Sequence, residues 1–153
     1  ARSEAAKQRA AYEALMSDRQ VNPELLRDRQ WAHNVSRAFR LMRRNERVME
    51  RFEFQQTHPT VAIELHAARL GDIAFASNPF ELYLDYGLRI QARTRAVQTF
   101  LVQLAGPGSY VPTARSVAGG AYGAVPASTE VGPDGGQVLV ERTIAAVNAF
   151  WEE

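Results

Sequence analysis

Glu81 stands in NPFELYLDYG, residues 78–87, two places past a proline and at the head of an apolar segment. Its carboxylate has two uses in that position. It closes a helix N-terminus, with Asn78 as the cap, Pro79 at the first helical position and Glu81 at the third, or it offers a hard oxygen donor to a metal ion. Other polar groups gather in a Gly/Pro-rich stretch further on: Ser109-Tyr110-Val111-Pro112-Thr113, Gly119-Gly120-Ala121-Tyr122, and Ala127-Ser128-Thr129 ahead of Gly132-Pro133. The chain has no cysteine. That removes disulfides, zinc thiolates and thiol nucleophiles, and leaves any metal to histidine, carboxylate or phenolate oxygen. The three histidines, His33, His58 and His66, lie far apart and form no HxH or HExxH pair. Ser109 and Ser128 lack the GxSxG frame of a nucleophile elbow. No Lys-Ser/Thr follows Gly119, Gly120 and Gly123 to complete a phosphate loop.

The elements that must position these groups are legible as three regions. From Ser3 to about Phe52 the residues favour helix, and Val21-Asn22-Pro23-Glu24 breaks the run with a cap followed by proline, which predicts two helices. In the second, Trp31, Val35, Phe39 and Met42 recur at steps of four, four and three and form an apolar stripe. The spacing predicts that this stripe packs on a sheet containing Val61, Ile63 and Leu65, or on protein outside these residues. Arg40, Arg44, Arg47 and Arg51 recur on another side. With Glu46 and Glu50 beside them at pairing distance and no aromatic interleaved, they read as a solvated charged face and not as a nucleic-acid footprint.

From Phe54 to Ala76 the period falls to two, and Val61, Ile63 and Leu65, then Leu70-Gly71-Asp72-Ile73, predict a β-hairpin. Phe80, Leu84 and Leu88, with Tyr83, Gly87 and Ile90, predict a helix opening at Asn78-Pro79. Thr99 to Leu104 reads as a buried strand. Residues 105–136 are too rich in turns for regular structure, and Val140, Ile144, Val147 and Trp151 mark a final amphipathic helix. The sum is an α+β chain in which helices flank a sheet, with α/β as the alternative because strand direction is not fixed by these patterns.

At 153 residues and 46% hydrophobic the chain suits one compact domain, residues 1–153, with its own core. Eighteen basic against 17 acidic residues leave a net charge of +1, so no global field draws the chain to nucleic acid or anionic lipid. The charge is uneven: residues 1–53 hold 12 Lys/Arg and 8 Asp/Glu. No apolar run approaches a membrane span. The chain begins at Ala1 without methionine, from which we expect residues upstream.

The order GDIAFASNPFELYLDYGLRI, a strand ending before SYVPT, then GGAYG and ASTEVGP resembles the C-terminal half of the neutral/alkaline ceramidase catalytic domain, and more closely the uncharacterised bacterial proteins grouped with it. The resemblance runs from about residue 60 to the C-terminus. It implies a zinc-dependent amide hydrolase in which two histidines, a glutamate and a tyrosine hold the metal and a metal-activated water cleaves an N-acyl bond. Carried over position by position, Glu81 and Tyr110 match the glutamate and tyrosine ligands, and Tyr122 the catalytic tyrosine that donates to the oxyanion. Pro79-Phe80-Glu81 stands for the family's PGE, with phenylalanine for glycine, and Gly123 replaces an acid that usually follows the second tyrosine. The histidine ligands lie upstream of the matching part. The resemblance therefore implies the C-terminal portion of a larger catalytic domain, partnered by the missing N-terminal portion, acting on an amide or lipid-like small molecule, in a secreted or periplasmic setting. A catalytically silent member serving as a binding or structural module is the alternative.

Overall fold

The computed structural model describes residues 2–152, which form two compact units dividing between Pro59 and Thr60. The architecture is α+β.

The first unit is a helical hairpin. Helix α1 (Arg2–Val21) leads through a 3₁₀ turn, Pro23–Arg27, into α2 (Arg29–Phe54). The break is chemical: Asn22 Oδ1 accepts the Glu24 amide at 3.2 Å, Pro23 has no amide to donate, and Asp28 Oδ1 takes the Gln30 amide at 2.8 Å to open α2. The short link makes the helices antiparallel, and the Trp31 stripe finds its partner in α1. Trp31 Nε1 donates to the Leu15 carbonyl at 3.2 Å, and the Phe39 ring lies 5.6 Å from that of Tyr12. Ala5, Ala38 and Met42 are buried. The sheet expected under the stripe is absent, because residues 55–65 form no strand and the alternation of Val61, Ile63 and Leu65 has no ladder to join.

The second unit holds two small sheets. Strands β1 (His66–Leu70) and β2 (Ile73–Ser77) form the hairpin, one strand-length later than the alternation suggests. Gly71, at φ +61°, is the first of two turn residues and the only one with positive φ, the pattern of a type II′ turn. Helix α3 (Leu84–Arg93) carries the chain over to β4 (Gln98–Val102), which pairs parallel with β2, giving the order β1-β2-β4. Strands β3 (Glu81–Leu82) and β5 (Tyr110–Val111) form a separate parallel pair. After α4 (Ala114–Ala118) and a 3₁₀ turn at Tyr122–Ala124, helix α5 (Pro133–Asn148) covers one face of the unit. Val140, Ile144 and Leu139 from α5 meet Phe80, Leu82, Tyr86, Ile90 and Val111, while Val147 packs on Ala74 and Ala76 of β2.

The segment after Asn78 differs most from its prediction. No helix opens at Pro79. Asn78 Oδ1 accepts the Phe80 amide at 3.0 Å, and the amides of Glu81 and Tyr83 go to the carbonyls of Ser109 and Val111, so the chain pairs as a strand until Leu84. Helix α3 then buries Tyr86 and Ile90 and leaves Leu84 and Leu88 exposed. Among the described residues no helix is long and apolar enough to cross a membrane.

Candidate functional site

Glu81 sits in β3 and not at a helix start, so the capping role falls away. Its amide donates to the Ser109 carbonyl at 3.1 Å, and its register partner across the parallel pair is Tyr110. Register partners in a sheet project to the same side, which sets the Tyr110 phenol beside the Glu81 carboxylate. Tyr110 is also held from its other edge. Its amide reaches the Ser128 carbonyl at 3.3 Å, and Thr129 Oγ1 donates to the Tyr110 carbonyl at 2.8 Å. Two further loop hydroxyls are likewise spent on the backbone. Ser109 Oγ accepts the Glu130 amide at 2.9 Å, and Thr113 Oγ1 caps α4 through the Ser116 amide at 3.1 Å.

Tyr122 meets Tyr110 edge to face, with ring centroids 5.9 Å apart and planes at 85°. It is 70% exposed, so its hydroxyl is open to a solute. Gly123 follows in close contact: a Cβ there would lie 2.7 Å from Tyr110 Cγ and Cδ1 and 3.0 Å from the Tyr83 hydroxyl. An acidic side chain at this place has no room. In its place the Tyr110 ring and the Tyr83 hydroxyl close over this one glycine. The three residues expected to act together are thus brought together, and Tyr83 is the member that sequence reasoning missed. Its signal was parity: two residues past Glu81 in an extended stretch, it falls on the same side, a relation hidden by reading the segment as helix.

The Tyr110 phenol titrates above its ordinary value, first because the Glu81 carboxylate accepts its proton in a hydrogen bond, then through desolvation and the negative charge of Glu81. The folded-state value being raised, the contribution of this bond to stability is full below the free phenol's pKa of about 10 and is lost as pH rises through the folded value. Glu81→Gln is expected to bring the Tyr110 titration back toward that ordinary value. The check is the phenolate absorbance difference between each protein and its Tyr110→Phe partner. An unmoved titration would separate the two side chains.

As metal donors, a carboxylate and a phenol side by side suit two positions of a tetrahedral zinc site. Among the described residues no group of three or more His, Cys, Asp or Glu side chains converges. His66, the one histidine in the second unit, lies 3.6 Å from Glu64. The pair therefore fits half of the ligand set. No family model, no curated protein and no solved structure matches the chain, so what can be said of this site rests on its own geometry and on the residue order quoted above.

Proposed function

We propose that Glu81 and Tyr110 are the carboxylate and phenolate half of a zinc site in an amide hydrolase of the neutral ceramidase kind, with two histidines supplied by polypeptide outside residues 1–153. One observation carries this reading: β3 and β5 set Glu81 against Tyr110 in register, with Tyr122 edge-on beside them. The substrate class is an amide or lipid-like small molecule, and the setting is secreted or periplasmic.

When bound, zinc supplies Lewis-acid activation of water and of the amide carbonyl. The chain's own residues do the rest. Glu81 brings a fixed negative charge, held rigidly because its backbone is laddered to Ser109. Tyr110 Oη must release its proton to act as a ligand, so metal affinity rises with pH below the phenol's pKa. Tyr122, exposed and braced against the Tyr110 ring, offers its O–H to the oxygen of the carbonyl as charge develops there. A second reading, the catalytically silent module, draws on the pairing of the Tyr110 phenol with the Glu81 carboxylate, which needs no metal.

Glu81→Gln in the full-length protein tests the reading. The β3–β5 ladder uses backbone amides, so the fold survives the change. Zinc content is expected to fall, while the metal-free proteins melt at the same temperature. Equal zinc in both proteins sinks the ligand role, and a wild type that binds no zinc favours the silent module.

A further inference from the structure

Helix α2 carries His33, Arg37, Arg40, Arg44, Arg47 and Arg51 at steps of four, three, four, three and four. At about 100° per residue these positions form one line, on the side of the helix opposite Trp31, Ala38 and Met42, which face α1. The acids that the sequence sets beside this line are engaged elsewhere. Glu46 binds Arg9 of α1 and, at 2.6 Å, Arg43, while Glu50 binds Arg43 at 3.3 Å. Arg37, Arg40, Arg44 and Arg47 are exposed and have no acidic partner among the described residues. Between Arg37 and Arg47 the line runs roughly 15 Å. Along one flank lie Leu41 and Val48, half-buried, and Phe52, 58% exposed.

We infer that this outer face of α2 docks on an anionic lipid surface, the arginines meeting headgroup phosphates and carboxylates and Phe52 entering between headgroups. Charge complementarity supports the partner, since residues 1–53 carry 12 basic against 8 acidic groups. The apolar flank decides between polyanions. Beside a nucleic-acid backbone, Leu41, Val48 and Phe52 have nothing to bury against, whereas an interfacial helix sets apolar and cationic residues side by side. The helix lies on the bilayer and does not span it. This inference stands apart from the hydrolase reading and survives its failure.

The test is co-sedimentation of the full chain with phosphatidylcholine vesicles, with and without phosphatidylglycerol. Binding is expected only with the anionic lipid. Each arginine near such a surface is worth about fivefold in affinity, so Arg40→Gln with Arg44→Gln is expected to weaken binding roughly 25-fold, and the charge-matched Arg19→Gln with Arg142→Gln far less. Glutamine keeps helix propensity at exposed positions, and circular dichroism verifies the fold. Phe52→Ser is expected to weaken vesicle binding at unchanged charge. Three results overturn the inference: no binding to anionic vesicles, equal losses in the two double variants, or duplex DNA bound more tightly than vesicles with Phe52→Ser silent.

Discussion

Gly136→Ala is expected to cost about 3 kcal/mol, lowering the melting temperature by roughly 6–12 °C for a chain of this size. Gly136 is buried in α5, and a Cβ there would lie 2.5 Å from Tyr86 Cζ and 2.8 Å from Val111 Cγ1. Neither neighbour has somewhere to go. Val111 is wholly buried, and Tyr86 is pinned by its hydroxyl, which donates to the Pro112 carbonyl at 2.8 Å with the Pro133 carbonyl at 3.3 Å. Alanine's helix propensity returns at most about 1 kcal/mol, so overpacking decides the sign. Gly132→Ala, with nothing within 4 Å of the added carbon, serves as the packing control and is expected to cost at most about 1 kcal/mol through the N-cap preference. A melting temperature equal to wild type in Gly136→Ala would mean that Tyr86 yields, contrary to its anchoring.

Gly123→Ala is expected to act on the site and not on the fold. The new methyl would overlap Tyr110 Cγ and Cδ1 at 2.7 Å. The Tyr110 backbone, bridged to Glu81 on one side and Thr129 on the other, stays in place, so the ring must swing about its side-chain torsions. A displacement of tenths of an ångström at Cγ grows along the ring, and the hydroxyl leaves the Glu81 carboxylate. Misplacement by about 1 Å costs on the order of 10²-fold in rate. On the hydrolase reading proposed above, amidase activity and zinc affinity of the full-length protein are expected to fall together while the melting temperature of the metal-free protein changes little. Wild-type zinc affinity in this variant would show that Tyr110 is not a ligand.

What was legible in the sequence is what local chemistry decides. Asn22-Pro23 ends one helix because cap and missing amide lie within three residues of each other, and Gly71 turns the hairpin because only glycine adopts its φ cheaply. The periodic Val140, Ile144 and Val147 bury as expected. Glu81 escaped because the Ser109 carbonyl that takes its amide lies nearly thirty residues on, and the cap signal at Asn78 is equally satisfied by a turn that bonds the Phe80 amide. Val61 to Leu65 alternate like a strand but lack an adjacent one, and a strand without a ladder does not form. Sheet direction was hidden too, since the parallel pairing of β2 with β4 follows from the crossover through α3, not from either strand's pattern. The convergence of Glu81, Tyr110 and Tyr122 came only from the order of short motifs, and Tyr83 and the tight fit of Gly123 needed coordinates.

The two-residue strands β3 and β5 and the Tyr110–Thr129 bridge set a timetable for biosynthesis. Chains are made from the N-terminus, and elements dock as their partners emerge. Glu81 leaves the ribosome early, but the carbonyl that takes its amide belongs to residue 109, and the residues that hold Tyr110 from behind are 128 and 129. With so few local bonds, neither short strand persists alone. The Glu81–Tyr110 pair is therefore absent from the growing chain until the segment through Thr129 has emerged, and it then appears as a unit.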